Sequence, residues 1–306
     1  MNFPIKIAAI IVTYNRITLL KKCINALRIQ TRKLDAIIVI NNNSTDGTKE
    51  WLNEQNDLIV IHQENVGGSG GFYKGIKEAF DQGFDWIWAM DDDVNPTPTC
   101  LEELSTHLDL PKVGILCPQR VKNGSIHIDE VLKFNLSNPF KALKRNLRLS
   151  DIKDNQQPID IEGMAFEGPL ISRNTIQQIG LPNKNLFIFW DDTEYAYRTI
   201  LAGLKVKYVP HAILRKEDLS TSSNNISKFR SWKVPYGLRN LVYFTHTYGK
   251  NKLFRIIFPR LILLKYCIGF ILHQIKRDGY YEKRDFTLIL KSFNDGINNK
   301  LGKYHF

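Results

Sequence analysis

Residues 84–93 read FDWIWAMDDD, an apolar, tryptophan-rich run that ends in three aspartates. A short apolar run bounded by polar residues reads as a buried strand. Side chains alternate along a strand, so Asp91 and Asp93 project to the same side. Two same-side carboxylates suit a hard divalent cation, Mn²⁺ or Mg²⁺, which takes oxygen ligands and often shares them with substrate phosphates. The competing reading is a solvated turn that caps a helix starting near Pro96 and Pro98.

The same pattern recurs upstream. IKIAAIIVTY is a β-branched run that ends in polar residues, followed by a helical face of Leu19, Leu20, Cys23, Ile24 and Leu27. LDAIIVINN and DLIVIHQE are two more buried strands, separated by the turn-rich NNSTDGT and a short helix. NVGGSGGFYKGIKEAFDQGF reads as a glycine loop leading into a helix. Strands alternating with helices predict an α/β fold, with a mainly parallel, Rossmann-like sheet and helices on both faces. In such a sheet the ligand lies at the carboxyl ends of the strands. Thr13–Arg16, Asn41–Asp46, Asn65–Gly71 and Asp91–Asp93 all fall there.

Composition narrows the function. The 306 residues carry a net charge of +11, with a pI of about 9.4. That admits nucleic acid, an anionic membrane or anionic substrates as partners. No nucleic-acid motif is readable, so no nucleic-acid partner is expected. The four cysteines form no CxxC, which argues against a zinc site or a disulfide framework. The apolar run Ile7–Val12 is too short for a secretory signal and reads as the first strand.

Each candidate motif has a bland and a functional reading. Gly67, Gly68, Gly70 and Gly71 permit close backbone approach to a ligand, or form a flexible turn. They are neither a Walker A loop nor the GxGxxG of a first strand. Thr13 and Asn41 can hydrogen-bond a base or ribose and Arg16 a phosphate, while Thr18, Ser44 and Asp46 can cap helices. In FWDDTEYAYR, Asp191, Asp192 and Glu194 suit a helix start, or one supplies a general base. His211, beside a short strand, is a structural residue or a ligand.

Taken in order, AAIIVTYNR, VINNNSTDGT, NVGGSGGF, WAMDDDV, FEGPLISR and FIFWDDTEYAYR resemble the motifs of family 2 glycosyltransferases of the GT-A fold. The likeness covers residues 6–215 and is nearest to bacterial galactofuranosyltransferases, then to rhamnosyltransferases. It implies a donor of UDP-galactofuranose or dTDP-rhamnose and a glycan acceptor carried on a polyprenyl diphosphate. Thr13, Tyr14, Asn15, Arg16, Asn41, Asn65, Gly67, Gly68, Gly70, Gly71, Asp92 and Trp190 would border the donor, with the four glycines closing over its sugar. Asp91 and Asp93 would hold the metal, Asp192 would be the base, and Asp191 and Glu194 would bind hydroxyls. Asn41 stands where the family has an aspartate. Where the galactofuranosyltransferases have a metal-binding histidine this chain has Lys216, and His211 lies five residues earlier. A sugar-nucleotide nucleotidyltransferase would need glycines after the first strand, which VTYNRIT lacks. The intact Asp91/Asp93 pair and the Trp190-Asp191-Asp192 run argue against a catalytically inactive sugar-nucleotide binder, a reading that Asn41 and Lys216 keep open.

The expected organisation is a GT-A domain over 1–249, with an irregular excursion at 122–160, and a helical region over 250–306. Residues 250–284 hold nine Lys or Arg against Asp278 and Glu282. Their apolar stretches read as too short to span a bilayer, and Pro259 as a helix break or start. With Arg255, Arg260 and Lys265 spread around a helix, docking on the inner face of the cell membrane competes with a core or dimer helix pair, and so with a homo-oligomer.

Overall fold

The structure is a computed structural model that describes residues 4–152, 157–217, 232–276 and 280–304. Arg277 and Asp278, counted above, lie outside the described residues. The chain divides into two units. One holds the described parts of residues 1–133, 146–184 and 192–218, the other those of 134–145, 185–191 and 219–306. The second therefore begins before residue 250 and takes two short segments from within the first.

The first unit starts β1 (Ile7–Thr13), α1 (Ile17–Arg28), β2 (Ala36–Asn41), α2 (Thr48–Asn53), β3 (Ile59–His62), α3 (Gly67–Asp81) and β4 (Trp86–Asp91). β1 is flanked by β2 and β4, and β3 by β2, all parallel. Alternation sorts the apolar residues onto two faces. Ala8, Ile10 and Val12 cluster with Ile38, Ile40 and the α3 residues Phe72, Ile76 and Ala79. Ile7, Ala9 and Ile11 cluster with Leu20, Cys23, Ile24 and Leu27 of α1 and with Trp86 and Trp88. Both faces are covered, which is why these strands are apolar throughout.

The chain continues through β5 (Val94–Pro96), α4 (Cys100–Ser105), β6 (Val113–Lys122), β7 (Ser125–His127), β8 (Val131–Phe134), β9 (Lys144–Asn146), α5 (Leu149–Ile152), β10 (Ile159–Ile161), β11 (Leu170–Ser172), α6 (Arg173–Ile179), α7 (Asp191–Leu201) and β12 (Lys205–Lys216). The main sheet runs β10-β12-β6-β11-β4-β1-β2-β3, with β5 on β12 and β7 on β6. β11 is antiparallel to both neighbours, β4 and β6. The 122–160 excursion is more ordered than expected, because β7 folds back on β6 from the turn at Asn123 and Gly124.

The glycine stretch is not a loop: Gly67, Gly68, Gly70 and Gly71 form the first turn of α3. The φ of Gly67, +79°, suits glycine. Its amide donates to Asn65 Oδ1 at 3.0 Å and its carbonyl accepts from Asn42 Nδ2 at 3.1 Å. A Cβ on Gly70 would lie 2.5 Å from Val66 Cγ2, and one on Gly71 2.4 Å from Val12 Cγ1. These two positions are spent on packing inside the protein. The expectation that Gly67, Gly70 and Gly71 belong to a loop closing over a donor sugar is therefore corrected. Gly68 sits in the same helical turn, but a Cβ there would meet nothing within 4 Å. It is corrected from loop to helix and keeps open space on its outer side. Gly71 thus lets the helix lie close on β1, and glycines in a helix cost about 1 kcal/mol of propensity each.

In the second unit, α8 (Val234–Tyr248), α9 (Lys252–Lys276) and α10 (Lys283–Ile297) share a core of Leu238, Val242, Ile262 and Ile289. Pro259 does not break α9, contrary to the sequence expectation. A proline cannot donate to the carbonyl four residues back. Here that carbonyl, of Arg255, is 3.1 Å from His246 Nδ1 of α8, which takes up the acceptor. α9 is accordingly continuous for 25 residues, long and apolar enough by length and composition to cross a membrane. The reading of its apolar stretches as too short is corrected.

Candidate active site at the strand ends

Strand order reverses between β1 and β4, which puts the ligand crevice of an open α/β sheet outside their carboxyl ends. There Thr13 Oγ1 donates to Asp92 Oδ2 at 2.7 Å. Arg16 Nη1 donates to Asp92 Oδ1 at 3.1 Å and to Asp93 Oδ2 at 3.3 Å. Both Asp92 oxygens are therefore used by the protein, and the assignment of Asp92 to the donor is corrected to bracing the turn. Arg16, expected on a phosphate, is engaged by the same two carboxylates.

Burial pushes the Asp92 carboxyl up to about 6, against the Thr13 and Arg16 bonds that favour its charged form. Asp91 is pushed well above the usual carboxylate range by loss of water and by Asp93, Glu167 and Asp92, while Lys216 pulls it back. The Arg16 guanidinium loses hydration but is raised by Asp92 and Asp93. The cluster carries more negative charge than its surroundings neutralise.

Lys216 stands on β12 opposite Val94, the residue after Asp93. Its ammonium is bonded to Glu167 Oε1 and is held above its ordinary value by Glu167 and Asp93, despite partial burial. Glu167 also accepts from Arg120 Nη1 at 2.5 Å, and these two cations keep its carboxyl low despite burial. Arg120, 1% exposed, pairs with buried Glu130 at 2.8 Å. A cleft of about 400 Å³ beside Lys216 is lined by Asn95, Val121, Arg215 and Glu217. His211, by contrast, is exposed, and its electrostatic neighbour is His107. Five residues along a strand span on the order of 15 Å. The assignment of His211 as metal ligand is corrected, since Lys216 occupies the place beside the acids.

Several expected donor contacts are committed elsewhere. Asn41, 1% exposed, accepts from the Ser44 amide at 3.0 Å and lies 3.1 Å from His62 Nδ1. Its amide shapes the turn instead of facing a base. Asn15, at φ 53°, accepts from the Thr45 amide at 2.7 Å. Asn65 is spent on the Gly67 amide. Asp46 accepts from the Ile17 amide at 2.9 Å, so the capping reading holds there. Of the expected donor-side positions, Tyr14 is 48% exposed and open to a ligand, and Gly68 has space beside it. The four cysteines are free, and Cys23, Cys100 and Cys117 are buried.

Asp192, on α7 in the first unit, is partly exposed, and its Oδ1 accepts from the Thr193 amide at 2.5 Å. Glu194 is buried and pairs with Arg198 at 2.9 Å. Arg198 in turn donates to the Ile179 and Leu181 carbonyls. Glu194 thus tethers α7, which corrects its assignment to hydroxyl binding. Asp191 is buried. In the second unit, Phe187, Phe189 and Trp190 all have positive φ (67°, 66° and 68°), a costly conformation for bulky residues. Asn240 Nδ2 holds this segment through the Leu186, Ile188 and Phe189 carbonyls at 2.9–3.0 Å. Arg239 adds a bond to the Leu186 carbonyl at 2.9 Å. The Trp190 ring lies under Lys144 Nζ at 4.2 Å. Arg120, Glu167, Arg239 and Asn240 were missed, although a charge inside VGILCPQRV and an Arg-Asn pair inside an apolar helix are readable signals.

A divalent cation fits the acid pair. Asp93 Oδ1 is buried with no hydrogen-bond partner among the described residues. An uncompensated carboxylate oxygen next to Asp91 is a donor set for a hard ion. No group of three or more His, Cys, Asp or Glu able to hold a metal occurs among the described residues. A bound ion would complete its shell with phosphate oxygens and water.

Residues 8–166 match the model of "Glycosyl transferase family 2". Galactofuranosyltransferase GlfT1 of Mycolicibacterium smegmatis is 29% identical over 202 residues, 65% of this chain and 66% of that protein. The dTDP-rhamnosyl transferase RfbF of Shigella flexneri is 24% identical over 208 residues, 67% of this chain and 66% of that one. The chain thus spans just under two thirds of the length of these relatives. The solved structure of GalNAc-T7 with UDP, GalNAc and Mn²⁺ aligns with a TM-score of 0.63 at 12% identity, over 96% of this chain and 56% of that one. That likeness shows the fold, GT-A.

Proposed function

The chain belongs to glycosyl transferase family 2, and from that premise we propose that it moves a hexose from a nucleotide sugar to a glycan acceptor. The observation that carries the reading is the acid pair Asp91 and Asp93 at the β1/β4 switch point, braced by Thr13 and Arg16 through Asp92. A diphosphate there meets Lys216, and Arg16 lies within the same cluster. The donor we infer is UDP-galactofuranose, supported by similarity to the mycobacterial galactofuranosyltransferase. Similarity to the Shigella protein supports dTDP-rhamnose as the second reading. The inferred acceptor is a glycan on a polyprenyl diphosphate, and the setting the cytoplasmic side of the cell membrane.

Asp91 and Asp93 would hold Mn²⁺ or Mg²⁺, which when bound neutralises charge on the leaving diphosphate. Asp192 accepts the proton from an acceptor hydroxyl. That oxygen forms a bond to the anomeric carbon as the bond from carbon to phosphate oxygen breaks, with inversion. Glu167 and Arg120 keep Lys216 in place beside the acids. Within the second unit, the strained turn at Phe189 and Trp190 is held by Asn240 and leads into Asp191.

The test is release of nucleotide diphosphate from UDP-galactofuranose, UDP-galactopyranose and dTDP-rhamnose, with and without Mn²⁺. Release fastest from UDP-galactofuranose with metal is expected. Fastest release from dTDP-rhamnose selects the second reading, and no release from any donor sinks the activity.

A further inference from the structure

α9 presents a broad apolar face that no other described element of its unit covers. Phe254, Pro259 and Ile262 are buried, and Ile262 joins the core shared with α8 and α10, with Phe258, Leu263, Tyr266 and Phe270 packed against it. Leu253, Leu261, Leu264, Ile268, Ile271, Leu272 and Ile275 are between 36% and 72% exposed. At about 100° per residue these seven fall within an arc of about 100°, and Ile256, 40% exposed, lies about 60° outside it. Arg260 borders the arc on one side, Lys265 and Lys276 on the other. The stripe, hidden in the sequence by the scattered basic residues, becomes legible once the packed face is known. Apolar residues scattered singly over a surface are ordinary, but a stripe about 33 Å long is an interaction surface.

Charge decides the occupant. Residues 250–276 hold Lys250, Lys252, Arg255, Arg260, Lys265 and Lys276, and no Asp or Glu. A second copy would set these six positive charges against six more. Crossing a bilayer would put Arg260 and Lys265 in hydrocarbon, where charged side chains are strongly disfavoured. An anionic surface matches both the apolar arc and its basic borders.

We propose that this face of α9 docks into the headgroup layer of a bilayer containing anionic lipid, with the helix lying along the membrane plane. The inference stands apart from the activity, because lipid binding requires neither donor nor acceptor.

The test is flotation of the full chain with vesicles of phosphatidylcholine alone, and with vesicles half phosphatidylglycerol. Binding is expected on the anionic vesicles, falling as salt rises. Leu264→Glu with Ile271→Glu, both exposed, should lower partitioning at least about a hundredfold, each lost apolar side chain contributing about tenfold or more. Lys252→Gln, Arg260→Gln and Lys265→Gln should each cost roughly fivefold on anionic vesicles. Circular dichroism verifies that the variants fold, and the charge variants test the proposal independently of the apolar pair. Equal binding to both vesicle types overturns it. So does membrane protein that resists alkaline carbonate extraction, which marks a span. A dimer that the Glu pair dissociates, with no vesicle binding by the native chain, overturns it in favour of a second copy.

Discussion

Replacing Arg120 with methionine tests the ion network behind the acid cluster. Arg120 is 1% exposed. Its guanidinium meets Glu130 Oε1 from Nη2 at 2.8 Å and from Nε at 3.2 Å, and Glu167 Oε2 from Nη1 at 2.5 Å. Methionine matches the length of the stem but leaves both carboxylates without this partner. Glu167 keeps Lys216, whereas Glu130, 2% exposed, loses its guanidinium. Stranding one member of a buried ion pair costs about 3–5 kcal/mol. Protonation of Glu130 limits the loss, and burial already raises that carboxyl. Urea unfolding near neutral pH, read from the buried tryptophans Trp86 and Trp88, should show a loss in that range. Adding Glu130→Gln should restore at least about 1 kcal/mol, because a neutral amide is cheaper to bury than an unpaired charge. A loss below about 1 kcal/mol for Arg120→Met, with no gain from the second change, would refute the reasoning.

Other outcomes follow from single sites. The folded state holds the Asp92 proton more tightly than the unfolded chain, since burial lifts this carboxyl from 3.8 to about 6. Its contribution is fully present below about pH 4 and lost as pH rises through about 6, a change of about 3 kcal/mol. Asp92→Asn should flatten that part of a pH series of denaturation midpoints. Gly71→Ala puts a methyl 2.4 Å from Val12 Cγ1 and should cost about 1–3 kcal/mol by overpacking, measured by calorimetric melting. Asp192→Asn should lower turnover about 10²–10⁴-fold with donor binding retained, a split that transfer kinetics beside a binding titration would read.

The first four strands and their helices were legible because buried strands read as continuous apolar runs and α1 shows a one-sided period. The polar ends of those runs pointed to the candidate site. Interactions over long separations were not legible. Arg120 reaches Glu167 across 47 positions, and no local pattern announces such a pair. The helical start of α3 was hidden because Gly67, Gly68, Gly70 and Gly71 look like loop when β1, against which Gly71 packs, is unseen. Pro259 misled because its consequence depends on His246, thirteen positions earlier, taking the Arg255 carbonyl. Lys216 is legible in the sequence as a departure from the family pattern, whereas its tether to Glu167, 49 positions away, is not.

The central claim is that Asp91 and Asp93, at the β1/β4 switch point, hold the diphosphate of a nucleotide sugar through a divalent cation. Calorimetric titration of UDP in the presence of Mn²⁺, for the native chain and for Asp91→Asn and Asp93→Asn, measures this directly. Manganese-dependent binding that drops at least about tenfold in both variants is predicted, each having lost one charged oxygen ligand. Equal UDP affinity in all three proteins, with or without Mn²⁺, would contradict it.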